Sequence, residues 1–114
     1  MQYTPEHAVR ALAVLERLYP LVSPRAEYDE LLAILREPSK WKEAHSAFTK
    51  IRMNVTLPSE SGQRRDLDSC FVYVAENAAK TAYNCSGSSA PFDNDSFEWL
   101  LRYEKQFNDM YAAT

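Results

Sequence analysis

The chain has 114 residues, enough for one domain and too few for a second hydrophobic core. A hydrophobic share of 46% argues against a disordered chain. The formal charge of −3 makes the whole a poor general partner for nucleic acid, because neutralised phosphates supply most of that affinity. The 2 glycines exclude a glycine-rich phosphate loop and speak against a turn-rich β fold.

Proline and polar clusters set the predicted elements in chain order. Thr4-Pro5 opens a first helix that runs to about Tyr19, ahead of Pro20. Arg10, Glu16 and Arg17 break its apolar run, so the segment is neither a signal peptide nor a membrane span. Ser23-Pro24 repeats the opening signature and starts a second helix to about Arg36, and Ser39 caps a third from Lys40 to about Met53. Asn54 to Arg65, with Pro58 and Gly62, reads as a surface loop. A fourth helix spans about Asp66 to Tyr83, and the polar stretch Asn84 to Asp93 leads to a fifth from about Asp95 to Tyr111. No period-two alternation and no internal repeat is present. The expected fold is all-α, a compact bundle of about five helices forming a single helical domain over residues 1–114.

Cys70 and Cys85 fall in, or at the end of, the fourth helix. Along a helix that spacing is about 22 Å, far beyond the roughly 7 Å limit for bridged α-carbons. The expectation is two reduced thiols in a cytoplasmic protein, in which the sequons at Asn54, Asn84 and Asn94 are chance matches. With His7 and His45 the remaining donors, no zinc site of usual spacing is formed, and no metal or other cofactor is called for.

Three features stand out once the helices are projected at 100° per residue. On the fourth, Leu67, Cys70, Phe71, Val74, Ala75, Ala78 and Ala82 share an apolar arc, while Asp66, Tyr73, Glu76, Asn77, Lys80 and Asn84 gather opposite. The second group is either a solvated face with a Glu76–Lys80 pair or a ligand site made of Glu76, Asn77, Lys80 and Asn84. Glu16 and Glu104 each project into an apolar arc. A lone buried carboxylate costs several kcal/mol, so these two are expected to reach the surface or pair with an arginine or lysine, with a metal-binding or acid/base pair as the alternative.

The third feature is the acidic, aromatic run from Pro91 to Trp99. Asp93, Asp95 and Glu104 match part of a calcium-loop template, but Phe97 and Glu98 stand where a ligand and the obligatory glycine belong. Asp95 and Glu98 resemble a helix capping box. Beyond them, Trp99, Tyr103 and Met110 form an apolar strip beside the core-facing arc of Phe97, Leu100, Leu101, Phe107 and Tyr111, so the helix is either buried on two sides or presents aromatic surface to a partner.

Charge bears on that partner. Residues 1–39 sum to −2, residues 40–65 to +4 and residues 66–114 to −5. An acidic, aromatic surface made of Asp93, Asp95, Glu98, Trp99 and Tyr103 suits a basic protein. Neither histidine has a sequence neighbour that marks it as a general base, and Cys70 lies on an apolar arc. The sequence therefore reads as a non-enzymatic protein-binding domain of the inhibitor, immunity or adaptor type. The alternatives are a bundle binding a small polar ligand or metal ion, and a homo-oligomer that associates through the Trp99 strip.

Overall fold

Helix α1 (Pro5–Leu18) begins where Thr4-Pro5 sets it, and His7 completes the cap by accepting the Thr4 backbone N–H on Nδ1 at 3.1 Å. The computed structural model describes residues 2–54, 63–87 and 93–113, with the backbone alone for residues 63 and 64. The expected loop features at Pro58 and Gly62, and the Pro91-Phe92 end of the acidic run, lie outside the described residues.

A short 3-10 turn, Tyr19–Leu21, leads toward α2 (Ala26–Leu35), which starts beyond the predicted Ser23-Pro24 signal. One long-range bond and one local bond hold the segment Ser23 to Arg25 out of the helix. Asp68 accepts the Ser23 N–H at 3.1 Å, and the Tyr19 hydroxyl accepts the Arg25 N–H at 3.0 Å. The third helix also departs from expectation, opening as a 3-10 stretch, Pro38–Glu43, before α3 (Ala44–Asn54). There Trp41 turns inward and donates its indole N–H to the Leu35 carbonyl at 3.1 Å, satisfying an orphan acceptor at the end of α2.

Helix α4 (Gln63–Asn84) starts ahead of the predicted Asp66, and α5 (Ser96–Ala112) starts one residue after the predicted Asp95. Among the described residues the result is an all-α bundle of five helices. The α4 arc read from the sequence is buried throughout, and Ala79 joins it. Its alanines let neighbouring backbones approach closely, so α4 packs on α5, α3, α1 and α2. Beside them Phe71 meets Tyr28 edge-on at 4.8 Å and Phe107 at 6.5 Å.

The two carboxylates that projected inward do not enter the core, because each is drawn to an arginine at the rim. Glu104 pairs with Arg17 at 2.7 Å, tying α5 to α1, and Glu16 pairs with Arg36 at 3.2 Å, tying α1 to the end of α2. They do not form the metal or acid/base pair considered as an alternative. None of the described helices is long and apolar enough to cross a membrane.

Phe71→Ala should lower the free energy of unfolding by about 3–5 kcal/mol. Met53→Ala, 77% exposed, should change it by less than about 0.5 kcal/mol. Urea unfolding with an unchanged m-value checks both.

Candidate functional site

The start of α5 is fixed by a buried hydroxyl. Ser96 is fully inaccessible, and its Oγ lies 3.0 Å from the Thr81 hydroxyl of α4 and 3.0 Å from the Tyr3 hydroxyl. Asn84 donates to the same oxygen at 3.4 Å and to the Asp93 carbonyl at 3.3 Å. Tyr3 in turn donates to the Asn94 carbonyl at 2.9 Å. A polar group shielded from water is tolerated because its hydrogen bonds are made inside the protein, and here those bonds bring the segment 93–96 against the last turns of α4.

That placement creates a cleft of about 380 Å³ between α4 and α5. Tyr73, Glu76, Asn77 and Lys80 line it from α4, and Asp93, Asp95, Trp99 and Tyr103 from the other side. The rings of Tyr73 and Tyr103 stack at 5.1 Å and 15°, and Trp99 leans on Tyr103 at 5.9 Å and 31°. Tyr73 and Trp99 are 46% and 40% exposed, so flat aromatic surface meets solvent at the rim. Three carboxylates face a single ammonium here, which leaves the cleft net negative at neutral pH.

Lys80 organises the carboxylates. Its ammonium donates to Asp93 at 2.6 Å and to Glu76 at 2.9 Å, and it stands 5.3 Å from the centre of the Phe48 ring. Its side chain is only 11% exposed. Burial alone would lower its pKa, but the hydrogen bonds and charges of Asp93 and Glu76 outweigh burial and hold it above the ordinary lysine value. Asp93 adopts a positive φ of 50°, a conformation that aspartate tolerates better than most residues. Its Ser96 N–H acceptor bond of 2.9 Å and its Lys80 pair keep it there.

The cleft joins residues that the sequence placed on two separate candidate surfaces. Asp93, Asp95, Trp99 and Tyr103 of the acidic, aromatic surface meet Glu76, Asn77 and Lys80 of the α4 polar face. The α4 polar face is solvated only in part: the Glu76–Lys80 pair forms at 2.9 Å and Asp66 and Tyr73 are exposed, whereas Asn77 and Asn84 are 7% and 8% exposed. Asn84 belongs to the Ser96 network rather than to the cleft lining, and Glu98 is exposed outside it. The capping-box expectation for Asp95 also fails. Asp95 occupies the N-cap position with no bond from its side chain to the backbone, because its Oδ2 accepts the Trp99 indole N–H at 3.0 Å.

Tyr73 is the lining residue with the weakest sequence signal, since it reads as one more position on a polar face. The Trp99, Tyr103 and Met110 strip is neither a second core nor a free surface. It runs beside α4, where Tyr103 and Met110 also line a second recess of about 230 Å³ with Asp66, Ser69, Cys70, Tyr73 and Gln106. Asp93 and Glu104 answer to different cations, Lys80 and Arg17, so they do not converge as the calcium template requires. Among the described residues no group of three or more His, Cys, Asp or Glu is placed to hold a metal. Burial pushes the Cys70 thiol up to about 11, and it donates to the Tyr103 carbonyl at 3.4 Å, so it is protonated at neutral pH.

Comparison of the chain with protein-family models, with curated proteins and with solved structures finds no match.

The Lys80 pairs carry a pH signature. A folded pKa above the unfolded one means that they stabilise fully below the ordinary value of 10.5 and lose that effect as pH rises through the folded value. The stability difference between the wild type and Lys80→Met, from urea melts, should therefore shrink as pH passes beyond that value. A constant difference would contradict the assignment.

Proposed function

We propose that this protein is a non-enzymatic binding domain of the inhibitor, immunity or adaptor kind, which captures a basic protein through the cleft between α4 and α5. The observation that carries the reading is the meeting of Glu76, Asp93 and Asp95 with exposed faces of Tyr73 and Trp99 in one concavity. Aromatic rings supply contact area at low entropic cost, and carboxylates held in place by Lys80 and Trp99 attract a cation without having to be ordered first.

The cleft volume of about 380 Å³ is near the small end of ligand pockets, roughly 300–1,000 Å³, so a small polar cation is the second reading. The exposed rim favours a macromolecule. A reducing, cytoplasmic setting accords with two free cysteines, of which Cys85 donates its thiol to the Thr4 carbonyl at 3.1 Å.

A pull-down from the native host tests the reading, run with the wild type and with a variant carrying Asp93→Ala, Asp95→Ala, Trp99→Ala and Tyr103→Ala. Loss of hot-spot aromatics and charges should cut partner recovery by about tenfold or more, with the helical circular dichroism signal retained. Equal recovery would sink the proposed surface. Sedimentation at two protein concentrations separates capture of another protein from self-association through the Trp99 strip.

A further inference from the structure

We propose that the cleft selects a guanidinium over an ammonium, so that the element captured is an arginine-bearing stretch of the partner protein. This rests on the basic-partner reading and specifies its chemistry.

The place for a compact cation is already filled from within. Lys80 holds Glu76 and Asp93 at 2.9 and 2.6 Å, and an incoming ammonium would have to share those carboxylates with it. What remains lies on the aromatic side. Asp95 gives one oxygen to the Trp99 indole at 3.0 Å and has its second for a ligand, directly beside the Trp99 and Tyr103 rings. A slot edged by a carboxylate and walled by rings suits a flat, weakly hydrated cation that stacks and donates through a fork. Those are the properties that distinguish arginine from lysine. The same indole already attracts such a group: the Arg102 guanidinium carbon stands 4.8 Å from the centre of the Trp99 ring, and Arg102 does not line the cleft.

The shape beyond the cleft points to a peptide rather than a free molecule. The stacked Tyr73–Tyr103 pair lines both the cleft and the second recess, so the two lie in line along α4 and α5, one on each side of that ring pair. From Lys80 in the cleft to Asp66 in the recess the two together span about 21 Å along α4, at about 1.5 Å per residue. That length matches roughly six residues of extended chain. A free arginine would leave the recess at Cys70, Gln106 and Met110 empty. Asp66 at the far end adds another carboxylate for a basic segment.

The test is a titration of the isotope-labelled full chain, followed by backbone amide shifts. Four probes are used: an end-blocked, otherwise uncharged glycine-serine hexapeptide carrying one arginine, the same peptide with lysine, the same with citrulline, and free L-arginine. The arginine peptide should bind about tenfold more tightly than the lysine peptide, with shifts at Tyr73, Asp95, Trp99 and Tyr103, and the citrulline peptide should bind most weakly. Asp95→Asn keeps the indole acceptor and removes the charge. It should weaken the arginine peptide about tenfold and leave the thermal melt unchanged. Equal affinity for the arginine and lysine peptides would overturn the guanidinium preference and leave the basic-partner reading standing. Cleft amides that respond to neither peptide would overturn both. Free arginine saturating at the same concentration as its peptide would overturn the protein-borne occupant.

Discussion

The hydroxyl of Ser96 is buried between Thr81, Asn84 and Tyr3, and the position of everything on the outer side of α4 depends on how those four groups satisfy one another. Apolar packing along the alanine side of α4 would tolerate small slides of α5, because one methyl resembles the next. A buried hydrogen-bond knot does not, since a slide would strand a donor or acceptor at about 1–3 kcal/mol each. The knot therefore acts as a register pin, and the cleft inherits its geometry. Asp93 and Asp95 flank Ser96, so a pinned Ser96 delivers both carboxylates to the α4 face.

Lys80 then decides whether those carboxylates are an asset or a burden. Most of the ion pairs in the bundle are exposed, as with Lys105 and Asp109, and such pairs contribute little, about 0–1 kcal/mol. Lys80 differs because it is shielded, ties α4 to the segment that leads into α5 and sits against the Phe48 ring. Its ammonium offsets the mutual repulsion of Glu76 and Asp93 while leaving Asp95 uncompensated by any cation in the cleft lining. The fold tolerates a concentration of negative charge at its rim because part of that charge is neutralised from inside.

Much of this was readable from the residues alone, for local reasons. Thr4-Pro5 fixed the start of α1 because a cap and a proline act within one turn, and the α4 arc was correct because its period is set by the helix itself. The departures come from side-chain partners that the cap signals do not encode, some near in the chain and some distant. Ser23-Pro24 failed as a helix start because Asp68 and the Tyr19 hydroxyl claim its neighbourhood, and Asp95 failed as a capping side chain because Trp99 is the better-placed donor. Glu16 and Glu104 were expected to find a basic partner, yet nothing in the spacing named Arg36 and Arg17. The two halves of the cleft were each visible as odd surfaces. α4 and α5 pack on one another, and the bonds from Asn84 to Asp93 and Ser96 bring the end of α4 to the start of α5. That step turns two surfaces into one.

The 2 tryptophans of the chain sit in opposite surroundings. Trp41 is 4% exposed with its indole N–H on a helix-end carbonyl, whereas Trp99 is 40% exposed with its N–H on a carboxylate and a guanidinium over its ring. Their emission is consequently separable by colour and by quencher access. The blue, protected band belongs to the interior, and the red band, open to the neutral quencher acrylamide, belongs to the cleft. A single sample thus carries one optical reporter for the integrity of the bundle and another for the occupancy of its groove, with no label attached.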